Sequence, residues 1–288
     1  MHKEEIEISD DIVKTLIVEQ FPQFADFPIH KVHSTGTVNA VYRLGEEYCV
    51  RLPRLDWAVK SLHNEWKVLS AISQSITLDI PQVIEKGKPS AVYPYDWAIY
   101  RWIQGDVYGS ETVDEFETTE ALAQFIIELR KVNTFDNAPK AGRKPLLDLD
   151  EITINAITEC KNDIDQQQVL KIWRELLTAK SWDGIPVWIH ADLLKPNLLV
   201  NGGKLSGVID FGSAGVGDPA FDIIPAWTVL SSNEARRLFR KLLNVDCDVW
   251  NRGKAYALHQ AVLIIPYYRN SNPVFAKQAK DTINNIIE

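Results

Sequence analysis

Two short stretches, HADLLKPN (His190–Asn197) and IDFG (Ile209–Gly212), decide the fold of this 288-residue chain. Their pattern is His-x-Asp, four residues and Asn, followed by an Asp-Phe-Gly in which Asp210 comes thirteen residues after Asn197. Between them lie an apolar run, an Asn-Gly-Gly turn and a second apolar run, which predict a β-hairpin. Each stretch alone is a weak signal, but their order and spacing together are a strong one. The sequence therefore predicts one hairpin that brings together two carboxylates and one amide.

This arrangement is the one that protein kinases use for phosphoryl transfer. The reaction places charge on the phosphoryl oxygens, so its site must hold magnesium, align the acceptor hydroxyl and receive a proton. Magnesium prefers hard oxygen ligands, and we predict that Asn197 and Asp210 supply them. Asp192 is predicted to be the catalytic base that orients the acceptor hydroxyl and takes its proton. A lone Asp near a turn more often forms an Asx-turn, but three matching positions favour the catalytic interpretation.

The chain before residue 104 has the pattern of strands with one helix. Apolar residues between 58 and 73 recur at steps of three and four, which predicts a helix with one buried face. Strands are predicted at 30–33, 40–44, 48–52, 81–84 and 97–102, and the first three should form an antiparallel meander.

The chain after residue 104 is mainly helical in its patterns. Helices are predicted at 118–133, 166–179, 233–243, 247–265 and 272–287, with one β-rich island at 187–211 among them. A β-rich part followed by a helical part is typical of an α+β protein. We therefore predict two domains, residues 1–103 and residues 104–288.

A third stretch, GDPAFD (Gly217–Asp222), follows Asp210 closely. Together with YPYDW at 93–97 and YRWIQG at 100–105, it resembles the aminoglycoside phosphotransferase family, small-molecule kinases with macrolide and choline kinase relatives. The resemblance implies a bilobal protein-kinase-like fold, with a nucleotide-binding N-terminal lobe and a helical catalytic and substrate-binding C-terminal lobe. It also implies that Asp218 braces a loop, while Asp222 either caps a helix or touches the substrate.

The resemblance implies where the nucleotide would bind. Arg51 stands where the family usually has a Lys that contacts the phosphates, and Arg can take this role with two donors. Glu65, in the helix that follows, is its expected partner, although a surface ion pair is the alternative. The remaining expected contacts come from the loop before the second strand, which covers the phosphates, and from the hinge backbone, which meets the base: Ser34, Thr35, Gly36, Thr37, Asn39, Arg101, Trp102 and Ile103.

The composition argues against several other classes of protein. A net charge of −8 and a pI near 5.4 disfavour non-specific nucleic-acid binding, which needs clustered Lys and Arg. The cysteines show no paired spacing. Neither a secretory signal nor an apolar run of ~20 residues, the length of a membrane span, is seen. We therefore expect a soluble, cytoplasmic monomer without nucleic-acid or membrane partners.

The sequence leaves the donor and the acceptor open. A protein kinase is disfavoured, because no Ala-Pro-Glu follows the Asp-Phe-Gly and no peptide-docking loop fits. The first hypothesis is transfer from ATP or GTP, with Mg²⁺, to an aminoglycoside-like or macrolide-like antibiotic. The acidic residues Asp114, Glu115 and Glu117 would favour a polycationic aminoglycoside if they lined the cleft. The alternatives are a metabolic kinase for choline, homoserine or a sugar-like acceptor, and a nucleotide-binding pseudokinase, which the intact base and metal ligands disfavour.

Overall fold

The computed structural model describes residues 5–32, 38–109 and 112–288. The chain divides into two compact units. Unit 1 contains Met1–Gln74, Asp79–Gln104 and Val208–Ser213, and unit 2 contains Ser75–Leu78, Gly105–Gly207 and Ala214–Glu288. The sequence alone predicted one domain boundary, after residue 103. In the structure, Ser75–Leu78 from the first part of the chain belong to unit 2, and Val208–Ser213 from the second part belong to unit 1. One of these carries Asp210, which therefore belongs to unit 1.

Unit 1 is built on an antiparallel sheet with the strand order β1-β2-β3-β5-β4. Its strands are β1 (Ile29–Lys31), β2 (Asn39–Leu44), β3 (Tyr48–Pro53), β4 (Val83–Gly87) and β5 (Trp97–Arg101). The predicted meander of the first three strands is confirmed by their pairing. In the sheet Arg51 lies between Val41 of β2 and Ala98 of β5, so it occupies a central strand.

Two helices, α1 (Asp10–Gln20) and α2 (Asp56–Ile72), pack with this sheet. The helix predicted at 58–73 is confirmed as α2, but its buried face also carries Glu65, which the apolar pattern does not reveal. No helix was predicted where α1 lies. It begins at a recognisable signal, because the side chain of Ser9 accepts the N–H of Ile12 as an N-cap.

The hydrophobic core of unit 1 lies on the face of the sheet opposite Arg51. Successive strand residues point to opposite faces, so Val50 and Leu52 enter this core while Arg51 turns to α2. The core also includes Val13, Leu16, Tyr42, Leu44, Trp97 and Ile99.

Unit 2 contains two small sheets, one with the order β6-β8-β9 and one in which β7 pairs with β10. The strands are β6 (Asp106–Val107), β7 (Val187–Ile189), β8 (Leu198–Asn201), β9 (Lys204–Val208) and β10 (Gly215–Gly217). The predicted hairpin between the two motifs is confirmed as β8 and β9. The His-x-Asp loop therefore runs from the end of β7 to the start of β8.

Helices form the rest of unit 2. They are α3 (Glu115–Lys131), α4 (Asp150–Glu159), α5 (Gln166–Leu176), α6 (Pro225–Thr228), α7 (Asn233–Leu243), α8 (Cys247–Tyr268) and α9 (Pro273–Ile287). The five predicted helices are confirmed to within a few residues, but α4 and the four-residue α6 were missed. Helix α8 continues through Pro266, which has no N–H for the carbonyl of Val262, and the thiol of Cys160 donates to that carbonyl instead at 3.4 Å. Within the described residues, no helix has both the length and the apolar character needed to cross a bilayer.

Candidate active site

Arg51 and Glu65 form a buried ion pair between β3 and α2. Nη1 of Arg51 lies 2.8 Å from Oε2 of Glu65, and the two side chains are 15% and 0% exposed. Burial alone would lower the pKa of Arg51, but the charges of Glu65 and Asp210 outweigh it and raise the pKa. Arg51 therefore stays charged, and the pair does not lie on the surface.

Glu65 accepts two further hydrogen bonds in unit 1. The hydroxyl of Tyr100 donates to Oε1 at 2.6 Å, and the N–H of Phe211 donates to Oε2 at 3.1 Å. Burial, followed by the charge of Glu65, raises the pKa of Tyr100, so its hydroxyl stays protonated and can donate. A buried carboxylate is tolerated when donors surround it in this way. Tyr100 is the first residue of the YRWIQG stretch, but the sequence assigned it no role.

Asp210 completes what we call the Arg51 cluster, which consists of Arg51, Glu65, Tyr100 and Asp210. Oδ1 of Asp210 accepts from Nη2 of Arg51 at 2.9 Å, while its side chain is 45% exposed. Its φ is +66°, in the left-handed region that Asp adopts more readily than most residues. The carboxylate of Asp210 is thus anchored through one oxygen and still reaches solvent.

Gly212 lies directly against α2. A Cβ at this position would stand 2.0 Å from Oγ of Ser61, closer than non-bonded atoms approach each other. Asn64, on the same helix, donates from Nδ2 to the carbonyl of Gly212 at 3.0 Å. Glycine therefore allows the Asp-Phe-Gly segment to approach the helix that carries Glu65.

The predicted phosphate loop is described in part. Its residues 34–37 lie outside the described residues, whereas Asn39 begins β2. In the amide orientation that satisfies its neighbours, the side-chain oxygen of Asn39 accepts from Nη2 and Nε of Arg51 at 3.0 and 3.3 Å. Asn39 therefore adds a second contact that holds the guanidinium.

The predicted hinge residues Arg101, Trp102 and Ile103 lie at the end of β5. The N–H of Arg101 donates to the carbonyl of Gln82 at 2.9 Å, and that of Trp102 donates to the carbonyl of Glu47 at 2.7 Å. These two N–H groups are therefore engaged within unit 1, and the expectation that other backbone groups of the hinge meet the nucleobase stays a prediction. A nucleobase would meet the backbone carbonyl groups at 101–103 or the backbone of Ile103.

Asp192 and Asn197 are brought together in unit 2, in the loop between β7 and β8. Nδ2 of Asn197 donates to Oδ2 and to the backbone oxygen of Asp192, both at 2.9 Å. The N–H of Asp192 donates to Nδ1 of His190 at 3.3 Å, and the ring of His190 is buried. Because the amide nitrogen of Asn197 faces Asp192, the amide oxygen is the atom that a cation would take.

Asp222 holds the backbone of this loop. Its Oδ2 accepts the N–H of His190 and its Oδ1 accepts the N–H of Ala191, each at 2.9 Å. Ala191 has a φ of +63°, and the two hydrogen bonds fix this sparsely populated conformation. Burial raises the pKa of Asp222 to about 6, against the opposing effect of the two N–H groups and of Arg130. Asp222 therefore braces the loop through these two hydrogen bonds, whereas the sequence suggested a helix cap or a contact with the substrate.

Asp218 braces its own segment against α8. Its Oδ1 accepts the N–H of Ala220 at 2.9 Å and so caps the short 3-10 helix Pro219–Ile223. Nε and Nη2 of Arg252 donate to its two oxygens at 2.9 and 3.0 Å. Such a bidentate pair is the strong form of an arginine–carboxylate contact. Sequence reasoning missed Arg252, since no motif connects it with Asp218.

The predicted site residues thus form two sets. Asn39, Arg51, Glu65 and Asp210 meet in unit 1, and Asp192 meets Asn197 in unit 2. Each set is held by buried residues that its motif does not contain, namely Tyr100 in the first and Asp222 in the second. The arrangement of the two sets around one metal ion stays a prediction.

Comparison with known proteins identifies a matching family and a similar protein. The family described as "Phosphotransferase enzyme family" (APH) matches residues 30–256, which include both sets of site residues. A similar curated protein is YcbJ of Bacillus subtilis (strain 168), described as uncharacterized. It is 24% identical over 222 residues, which cover 72% of this chain and 71% of YcbJ.

Two solved structures are informative. The GDP complex of wild-type aminoglycoside 2'-phosphotransferase-IIIa superposes with a TM-score of 0.69 at 18% identity, over 96% of this chain and 100% of that chain. Macrolide 2'-phosphotransferase type I has a TM-score of 0.63 at 16% identity, over 96% and 97% of the two chains. These structures share the α+β kinase-like fold. The family match extends over most of the chain, and the chain belongs to the phosphotransferase enzyme family, as a small-molecule kinase whose acceptor is an alcohol group.

Proposed function

We propose that this kinase transfers the γ-phosphoryl group of ATP or GTP to a hydroxyl of an aminoglycoside-like or macrolide-like antibiotic, with Asp192 as the base. The observation that carries the proposal is the fixed position of Asp192. Its carboxylate accepts from Asn197 at 2.9 Å, in a loop whose backbone is bound by the buried Asp222. A base must lie within hydrogen-bond reach of the proton that it takes, so a fixed carboxylate suits this role.

Asp210 and Asn197 are the residues that would hold Mg²⁺. Each offers a hard oxygen, and Asp210 keeps its side chain 45% exposed while Arg51 anchors one of its oxygens. Magnesium commonly binds through one or two carboxylates together with phosphate oxygens and water. The carboxylate of Asp210 and the amide oxygen of Asn197 are donors of this kind. When bound, the ion neutralises the charge that develops on the phosphoryl oxygens.

Arg51 would contact the α- and β-phosphates. Its guanidinium is held by Glu65 and Asn39, and its planar fork suits phosphate oxygens. Residues 34–37 would cover the phosphates, while the carbonyl groups at 101–103 would meet the base. Two fixed contacts on the guanidinium favour a defined position over a mobile surface charge.

The proposal is tested with Asp192→Asn. Phosphoryl transfer should fall by about 10²–10⁴, the usual contribution of a general base, while the Kd for the Mg²⁺–nucleotide complex stays unchanged. Asp210→Asn should weaken nucleotide binding as well as turnover. A coupled assay with ATP and GTP measures the turnover, and calorimetry measures the binding. Asp26→Asn, at an exposed position of unit 1, is the matched control.

Three outcomes separate the hypotheses. Normal transfer by Asp192→Asn would refute the assignment of the base. Turnover with choline or homoserine, but with neither antibiotic, would move the protein to the metabolic kinases. Nucleotide binding without turnover of any acceptor would indicate a pseudokinase.

A further inference from the structure

Arg143 lies in the segment of unit 2 that connects α3 with α4. The residues before it are fixed on β10, because the N–H of Ala141 donates to the carbonyl of Val216 at 3.0 Å and the N–H of Val216 donates to the carbonyl of Pro139 at 2.6 Å. Strand β10 pairs with β7, and the loop that carries Asp192 begins at the end of β7. The backbone that leads to Arg143 is therefore held beside the strand that leads to Asp192.

Gly142 brings the chain against the residues that support the Asp192 loop. Its φ is +94°, and a Cβ at this position would stand 2.8 Å from Cε2 of Phe221, so the backbone of Gly142 lies against that ring. Asp222, the next residue, accepts the N–H of Ala191, which directly precedes Asp192. The same short segment, 221–222, therefore contacts the chain just before Arg143 and the chain just before Asp192.

The charge of Arg143 is felt by two groups of unit 2. Burial of part of the side chain lowers the pKa of Arg143, and the carboxylate of Asp192 opposes this shift. Burial also lowers the pKa of His259 on α8 to about 4, and the positive charge of Arg143 contributes to this shift. Together with the backbone contacts, these effects indicate that the guanidinium lies near Asp192, on the side of α8.

The guanidinium of Arg143 has no ion pair and no hydrogen bond to the residues that the structure describes, and the residue is exposed. Other arginines of unit 2 use their donors within the fold. Arg236 and Arg252 each donate to a backbone carbonyl and pair with a carboxylate. A guanidinium carries five donors in a planar fork that matches the oxygens of a phosphate group. Arg143 therefore keeps its donors for a ligand, and the position beside Asp192 suits an anionic one.

We propose that Arg143 is a further catalytic residue, which donates to the oxygens of the phosphoryl group during its transfer. In this step the bond from the γ-phosphorus to the oxygen shared with the β-phosphate breaks. The acceptor oxygen bonds to the phosphorus, its proton moves to Asp192, and the nucleoside diphosphate leaves. A cation beside Asp192 meets the charge on the phosphoryl oxygens in the transition state. The inference rests on the proposed function, since it takes Asp192 as the base, but it holds for either class of acceptor.

The first test is Arg143→Ala, with kanamycin and erythromycin as acceptors. We expect kcat to fall by about 10²-fold or more, the usual effect of losing one donor to a developing charge. KM for the nucleotide should change by less than about twofold, because the contact is made in the transition state. Guanidinium chloride, far below denaturing concentrations, should restore part of the lost kcat, and so should Arg143→Lys. Lys144→Ala, at the next exposed position, is the matched control and should keep the normal kcat.

A second measurement needs no acceptor. Phenylglyoxal modifies accessible arginine side chains, and peptide mass spectrometry measures the rate at each position. Inorganic phosphate should slow the modification of Arg143 several-fold, because it occupies the same donors. It should leave the rate unchanged at Arg237, which is exposed on α7.

The outcomes separate the inference from the proposed function. If Arg143→Ala transfers normally while Asp192→Asn does not, the inference is overturned and the proposed base stands. If Asp192→Asn transfers normally while Arg143→Ala does not, the base fails and the arginine is supported. A loss that neither guanidinium nor Arg143→Lys restores would indicate a structural role and overturn the inference. If neither antibiotic is phosphorylated, the proposed acceptors fail. Selective protection of Arg143 by phosphate then supports the inference, and protection no greater than that of Arg237 overturns it.

Discussion

The ion pair of Arg252 and Asp218 in unit 2 is buried on both sides, and we call it closed. In unit 1 Arg51 also pairs with a carboxylate that reaches solvent, so we call that arrangement open. Arg252 uses Nε and Nη2 for the two oxygens of Asp218, and both side chains are less than a tenth exposed, at 7% and 6%. Arg51 divides its guanidinium between Glu65 and Asp210, and Asp210 is 45% exposed. A closed pair can only stabilise the fold. An open pair can also position a side chain that contacts a ligand. Loss of a partner should therefore affect stability in unit 2 and both stability and activity in unit 1.

The largest effect is expected for Arg252→Leu. The variant leaves Asp218 buried with its charge unpaired, and such losses usually lower the free energy of unfolding by about 3–5 kcal/mol. Urea denaturation measures the change. The nucleotide Kd of the folded fraction should not change, because the pair is closed. Arg237→Leu, at an exposed position of α7, is the control, and a loss no larger than the control's would contradict the comparison.

Asp222 gives a pH-dependent test, because its charge is buried among N–H groups and not within a closed pair. Its pKa rises from 3.8 to about 6 on folding, so the folded protein binds a proton more tightly between these values. The contribution of Asp222 to the free energy of unfolding therefore falls as the pH rises from about 4 to about 6. Above about pH 6 this contribution no longer changes. Relative to Asp222→Asn, the free energy of unfolding should decline by up to about 3 kcal/mol across that window. If the difference in free energy of unfolding between the two proteins stays the same from pH 4 to pH 7, the prediction is wrong.

Tyr100→Phe tests the open cluster. The variant removes the donor to Oε1 of Glu65, which should lower the free energy of unfolding by about 1–3 kcal/mol. It should also raise KM for the nucleotide several-fold, because the position of Arg51 depends on Glu65. Tyr42→Phe is the matched control, since the hydroxyl of Tyr42 donates to the carbonyl of Ile8 at 2.7 Å in the core of the same unit. Equal KM values for the two variants would contradict the positioning role of Tyr100.

The smallest effect is expected for the pair between Lys204 and Glu117. Their side chains are 71% and 54% exposed, and the atoms lie 3.3 Å apart. Exposed pairs contribute about 0–1 kcal/mol, so Lys204→Met should change the free energy of unfolding by less than that. Denaturation at low and at high salt measures it. A loss as large as that of Arg252→Leu would show that burial does not distinguish these pairs.

The sequence predicted most elements but missed three helices, α1, α4 and the four-residue α6. Helix α4 (Asp150–Glu159) is rich in β-branched residues, among them Ile152, Thr153 and Ile154, whose stiff side chains lower helix propensity. In the structure Thr153 is buried against His259 of α8, at 2.8 Å between hydroxyl and ring nitrogen. Tertiary packing therefore outweighs local preference here. No single-sequence pattern contains that contact.

The same division between what the sequence predicts and what it misses holds for the candidate site. The spacing of the motifs identified Asp192, Asn197 and Asp210, because the chemistry requires these residue types at that spacing. The YRWIQG and GDPAFD stretches contain the supporting residues Tyr100 and Asp222, but their contacts were not predicted, since the contacting residues are distant in sequence. Tyr100 lies 35 positions from Glu65, and Asp222 lies 31 positions from Ala191. Such contacts follow from the fold and leave no local pattern.

The contact between Gly212 and Ser61 has a consequence for how this family can vary. A side chain at 212 collides with Oγ of Ser61 at 2.0 Å, whereas the next nearest atom, Cβ of Ser61, lies at 3.3 Å. No positive φ requires glycine at 212, and a Cβ there would require the hydroxyl of Ser61 on α2 to move away. The two positions should therefore coevolve. Homologues with alanine at 212 should carry alanine or glycine at 61, and directed evolution should reach Gly212→Ala more readily after Ser61→Ala.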